Sequence, residues 1–139
     1  MTASIVFQIV NTLVLPAWLI LIFLPRKSWR KPVIYVLSMV MAALYIFYVI
    51  IGLGDMDMQS FNSLAGVKNM FTSDMAVLTG WIHYLVFDLL IGSWIVDQSK
   101  KNRISHLLII PCLLLCFMFG PAGYLLYKLI QLVKLKKVG

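Results

Sequence analysis

The stretch GWIHYLVFDLLIGSWIVD, Gly80 to Asp97, decides the fold. It is apolar enough to cross a membrane, yet it carries His83 and Asp88 near its middle. A charged side chain at bilayer depth costs about 2.5–3.5 kcal/mol on insertion scales, so a residue held there faces a partner, a cavity or a substrate. The surrounding sequence has the same character. Of 139 residues, 62% are hydrophobic and 12% are charged, against about 25% charged in a typical soluble domain. One small core cannot enclose that much apolar surface, so lipid must cover the rest. These features predict an all-α integral membrane protein forming a single domain over residues 1–139. Four transmembrane helices are expected at about 3–24, 33–54, 75–96 and 104–127, with a short interfacial helix between the second and third.

Each expected span has the roughly 20 apolar residues that the hydrocarbon core requires. The first contains no charge, with Gln8 and Asn11 among its few polar groups and Pro16 as an expected kink. No Lys or Arg precedes it, so it reads as a retained helix and not as a cleaved signal. Arg26, Lys27, Arg30 and Lys31 follow, with Trp29 as an interfacial anchor. Pro32 suits the start of the second span, which Gly52 and Gly54 end. Between Asp55 and Asp74, Met58, Phe61, Leu64, Val67 and Phe71 recur at near-helical spacing, as in a helix lying in the interface or covering a cavity.

The net charge of +7 sits in short clusters between apolar runs. That favours lipid headgroups as partners, and no nucleic-acid-binding signature is present. With the N-terminus outside, the two cytoplasmic loops hold Arg26, Lys27, Arg30, Lys31, Lys100, Lys101 and Arg103, and the outer loop holds Lys68 against Asp55, Asp57 and Asp74. The tail, with Lys134, Lys136 and Lys137, then falls on the wrong side if the fourth span crosses fully. Either the tail is tolerated there, or the break at FGPAG, Phe119 to Gly123, changes the path of the last helix. Four crossings are the favoured expectation.

His83 and Asp88 are five residues apart and point about 140° away from each other on a helix. If they act together as an acid/base pair, they bracket a cavity or use partners on other helices; Trp81 and Tyr84 share the face of Asp88 more closely. The bland alternative has Asp88 holding a polar network with Tyr or Asn side chains and His83 near the interface. Trp81 and Trp94 fit an aromatic belt or a greasy ligand slot. Cys112 and Cys116, four apart, read as reduced packing residues. No cofactor is expected. The alternative is one haem or one metal held by His83 and His106, the chain's only imidazoles, although no spacing pattern supports it.

Three segments, GWIHYLVFD at Gly80 to Asp88, GSWIVD at Gly92 to Asp97 and LLIIPCLLLCFMFGPAGYLLY at Leu107 to Tyr127, resemble the abscisic-acid-deficient family. These are small four-helix membrane proteins that include the plant plastid protein linked to neoxanthin synthesis. The resemblance covers most of the chain. It implies a carotenoid-related function, and for the plant members a conversion of violaxanthin to neoxanthin without net redox change. This chain lacks a Ser/Arg-rich transit peptide, so the expectation is a bacterial relative in the inner membrane.

The expected function is therefore to bind or act on a carotenoid or related isoprenoid, as a cofactor-independent isomerase or as a non-catalytic polyene-binding or assembly protein. His83 and Asp88 are the candidate catalytic residues, and Trp81, Tyr84, Phe87, Trp94, Asp97 and His106 the candidate substrate contacts. A transporter or proton-relay subunit is the third reading, weakened because no second acidic residue lies within a span. A homo-oligomer would enlarge the narrow cavity that four short helices can form.

Overall fold

The computed structural model describes residues 2–52 and 58–135, so Gly54, Asp55, Asp57, Lys136 and Lys137 lie outside the described residues. Among those described, the chain is all helical: α1 (Ala3–Phe23), α2 (Arg30–Gly52), α3 (Leu64–Met70), α4 (Asp74–Lys101) and α5 (His106–Leu135). By length and composition alone, four of these, α1, α2, α4 and α5, qualify to cross a membrane. At 1.5 Å per residue, α1, α2 and α4 run roughly 32, 35 and 42 Å, each longer than the roughly 30 Å hydrocarbon core. Their outward faces remain apolar, as at Val36, Met39, Leu19 and Ile50, each more than half exposed. A contiguous surface of that kind belongs against lipid.

Helix α4 is the centre of the bundle and packs against α1, α2 and α5. Its buried residues, including Leu78, Ile82, Leu85, Leu89, Gly92, Ile95 and Val96, point to more than one side. Gly92 admits the Trp18 indole of α1: a Cβ there would lie 2.7 Å from Trp18 Cη2. Trp18 in turn meets Phe117 edge-on at 5.5 Å between ring centres, so the glycine lets α1 reach both α4 and α5.

The fourth apolar helix does not run straight. Phe119 leaves helical geometry (φ −147°, ψ 63°), and beyond it the chain turns back along its own path. A Cβ on Gly123 would collide with the backbone of Cys112 and Cys116; in a continuous helix Gly123 and Cys112 would be about 16 Å apart. Leu108 and Val133 line one groove, although a straight helix would separate them by roughly 37 Å. Tyr127 lies beside Trp94 and accepts a hydrogen bond from Asn102 Nδ2 at 3.3 Å, near the end of α4. Thus α5 is a hairpin of two arms, 106–118 and 120–135, about 20 and 24 Å long, and neither is long enough to cross the hydrocarbon core alone. The break at FGPAG changes the path of the last helix, and Lys134 returns to the end of the bundle that carries both basic loops.

At that end the helices are tied by polar contacts. Arg30, expected in the loop, is the first residue of α2 and is 2% exposed. Its guanidinium pairs with Asp97 and donates to Ser93 Oγ at 3.3 Å. Lys31 Nζ lies 3.4 Å from Asp97 Oδ2, Lys100 donates to the Pro25 carbonyl, and His106 Nε2 lies 2.7 Å from the Ile22 carbonyl. At the opposite end, a 3-10 turn (Met58–Asn62) and α3 form the expected interfacial segment, with Leu64 87% exposed. Ser63 and Ser73 cap α3 and α4 by accepting from the amides of Gly66 (3.0 Å) and Ala76 (3.2 Å).

The hairpin gives a topological prediction. Single cysteines introduced by Arg103→Cys and Lys134→Cys should react with a membrane-impermeant maleimide from the same side, and Gln59→Cys from the other. Native Cys112 and Cys116 are buried and give little background. Labelling of Lys134→Cys from the side of Gln59→Cys would overturn the fold-back.

Candidate functional site: the cleft at the hairpin tip

A broken helix leaves backbone groups without partners on both sides of the break. In hydrocarbon no water satisfies them, so protein groups must. Pro121 has no N–H for the Phe117 carbonyl, and the turn diverts the partner of Met118. The Tyr84 hydroxyl of α4 fills this place: it lies 2.7 Å from Met118 O and 3.3 Å from Phe117 O. Pro121 in the first turn of the second arm removes an N–H that would be unpaired in any case.

One turn further along α4 is Asp88, four residues from Tyr84 and therefore on the same face. It is 7% exposed. Its carboxyl group lies against Gly120 at the start of the second arm. Gly120 approaches so closely that a Cβ there would land on Asp88 Oδ1. A carboxylate at a helix N-terminus meets both free N–H groups and the positive end of the helix dipole. Phe119, at the capping position, has no side-chain acceptor, and the Asp88 carboxyl group of the neighbouring helix lies against this terminus. Asp88 Oδ2 is buried with no hydrogen-bond partner. Cys116 Sγ lies 3.5 Å from the Asp88 carbonyl, and both cysteines are free thiols packed inside the hairpin.

Because the hairpin turns at the depth of Asp88, it leaves the other half of the bundle without a fourth helix. A cleft of about 280 Å³ opens there, lined by Asn11, Val14 and Leu15 of α1, Trp81, Tyr84 and Leu85 of α4, and Phe117 and Met118 at the hairpin tip. Trp81 Nε1 donates to Asn11 Oδ1 at 2.9 Å, and Phe7 and Tyr84 flank the Trp81 ring at 5.5 and 5.3 Å. Phe71, which precedes α4, lies against the same region: a Cβ on Gly80 would meet its ring at 2.7 Å.

Trp81 and Tyr84 therefore line the cleft, with Asp88 directly behind Tyr84. The remaining sequence candidates lie elsewhere. His83 is exposed on the outer surface, with its ring 5.4 Å from Tyr45 and 4.7 Å from Phe87. Trp94 packs on Tyr124 and Tyr127 of the second arm, with Lys128 Nζ 5.1 Å from its ring centre. Asp97 and His106 belong to the helix-end ties. His83 and His106 are not brought together, since about 27 Å of helical rise separates His83 from Lys101, the end of α4 that leads to His106. Among the described residues no cluster of three His, Cys, Asp or Glu side chains forms. Sequence reasoning missed Asn11 as a wall of the cleft. Its signal was an amide inside a charge-free span.

Comparison with known proteins gives two matches. The family model described as ABA4-like, ABA DEFICIENT 4-like, matches residues 5–127. The chain is 28% identical over 133 aligned positions to Protein ABA DEFICIENT 4, chloroplastic, of Arabidopsis thaliana, covering 87% of this chain and 58% of that protein. The chain thus spans little more than half the length of that relative. No solved structure matches.

Proposed function

Because the chain belongs to the ABA DEFICIENT 4-like family, we propose that it binds or acts on a carotenoid or related isoprenoid in the cleft at the hairpin tip. The observation that carries this reading is the cleft itself. It is an apolar, aromatic-walled space among helices long enough to cross a membrane, with the Tyr84 hydroxyl in its wall and the buried Asp88 carboxyl group behind that residue. Ligand sites commonly have this composition, mostly apolar with a few convergent polar groups.

As an isomerase, the protein would open an epoxide toward an allenic alcohol. A base takes a proton from the neighbouring carbon, the carbon–oxygen bond breaks as the new double bond forms, and an acid returns a proton to the oxygen. No electrons are gained or lost. Tyr84 is the proton-carrying group at the cleft wall, and Asp88 is the carboxyl group that exchanges protons with it. His83, on the outer face with Tyr45 and Phe87, has no part in this pair. A second reading is favoured by a specific observation: the Tyr84 hydroxyl already serves the carbonyls before the helix break, and the Asp88 carboxyl group already lies against Gly120 after it. In that reading the cleft holds a polyene and these residues hold the hairpin.

The test is purification in mild detergent from a carotenoid-producing host, followed by absorption spectroscopy and mass spectrometry of the extract. A bound carotenoid or other isoprenoid is expected. A colourless protein carrying only bulk phospholipid, with an unchanged cellular pigment profile, would overturn the proposal.

A further inference from the structure

Asn11 lines the cleft from the middle of a helix that carries no charged residue. An amide side chain has one acceptor oxygen and an NH2 group with two donors. The Trp81 indole can only donate, so the atom that it meets at 2.9 Å is the amide oxygen. That contact orients the side chain and leaves the NH2 group uncommitted, with no acceptor for it among the described residues. The adjacent Thr12 behaves differently and returns its hydroxyl to the Gln8 carbonyl at 2.8 Å. An oriented pair of donors without a partner is costly in an apolar setting, and here it borders a ligand-sized space.

We propose that Asn11 is a ligand-recognising residue, its amide donating to an oxygen on the end of an isoprenoid that enters the cleft. This rests on the reading of the cleft as an isoprenoid site. The volume, about 280 Å³, lies just below the roughly 300–1,000 Å³ of pockets that enclose a drug-sized ligand. It accommodates one end group and not a full-length polyene. The oxygen-bearing end enters, between Asn11 and the Tyr84 hydroxyl, and the remainder lies along the lipid-facing surface of the bundle. The hydrogen bond thus selects for an oxygenated end over a purely hydrocarbon one.

The test uses the full chain in detergent with zeaxanthin and β-carotene, which share a polyene and ring skeleton and differ by one hydroxyl on each ring. Retained pigment per protein and quenching of tryptophan fluorescence are measured. The wild type should retain zeaxanthin roughly three- to tenfold better, the range that one hydrogen bond supplies. Asn11→Leu, or Asn11→Ala if leucine crowds the cleft, should bring zeaxanthin down to the level of β-carotene and leave β-carotene unchanged. Thr12→Val, at the neighbouring residue whose hydroxyl returns to the Gln8 carbonyl and does not line the cleft, should preserve the preference. If Thr12→Val abolishes it as fully as Asn11→Leu, the effect is one of helix packing in α1 and the proposal falls. Equal retention of both pigments by the wild type would overturn the role of Asn11 while leaving the isoprenoid site standing. Retention of neither would overturn both.

Discussion

Gly123→Ala should lower the thermal midpoint of the detergent-solubilised protein by several degrees, whereas Gly52→Ala should leave it unchanged or raise it. Gly123 lies inside the second arm and Gly52 is the last residue of α2; alanine favours a helix interior by roughly 0.5–1 kcal/mol and less at an end. They differ in what a Cβ would meet. At Gly52 nothing lies within 4 Å, and at Gly123 the new carbon would strike the Cys112 carbonyl oxygen and the Cys116 amide nitrogen and Cα. These are backbone atoms of the opposing arm, so no rotamer change relieves the contact and the arms must separate. Overpacking of this kind typically costs about 1–3 kcal/mol. For the same reason Cys116→Ala should not rescue Gly123→Ala, because the side chain removed is not the obstacle. Equal midpoints for the two alanine variants would show that the arms do not pack as closely as described.

Much of the architecture could be read from hydrophobic run lengths, because a membrane helix is specified locally by about 20 apolar residues. The pairing of Tyr84 with the face of Asp88 was also legible, since i,i+4 geometry needs no tertiary information. The path of α5 was not. Thirty residues of high hydropathy suit a tilted span or a hairpin equally well, and Gly-Pro-Ala-Gly permits a kink or a reversal. What distinguishes them is contact between Gly123 and residues seven and eleven positions earlier, and that contact depends on the whole fold. The misplaced lysines of the tail were the one sequence signal for the reversal.

Arg30 and Asn11 show the same limit. Arg30 reads as one of four loop cations, but α2 begins early enough to carry it inside, where Asp97 and Ser93, more than sixty positions away, receive it. Asn11 reads as a minor polar residue until Trp81 fixes its orientation. In both, the partner that gives the residue a role lies on another helix. His83 and Asp88 lie on different faces of α4, as the roughly 140° between them implies, and α2 gives His83 an aromatic neighbour, Tyr45.

Asp88 supports the second large effect, and two substitutions separate its roles. Asp88→Leu removes both oxygens and leaves the Gly120 amide facing an apolar side chain. A buried donor without an acceptor costs about 1–3 kcal/mol, and loss of a cap about 0.5–2 kcal/mol; the two overlap and are not summed. The variant should therefore melt well below the wild type. Asp88→Asn keeps a carbonyl oxygen for the Gly120 amide and should retain most of the stability, but it can neither take up nor release a proton in the relevant range. If Asp88 takes part in chemistry, Asp88→Asn in a carotenoid-producing host should give a folded protein that still holds pigment and no longer changes the pigment profile. If capping is its only role, Asp88→Asn should match the wild type in pigment profile as well as in stability, and the isomerase reading would fail while the binding reading survives. Tyr84→Phe adds a check on the same pair. It removes the donor to the Met118 carbonyl, so it should weaken the hairpin from the other side of the break, and a catalytic pair further requires that it abolish turnover in whatever fraction remains folded.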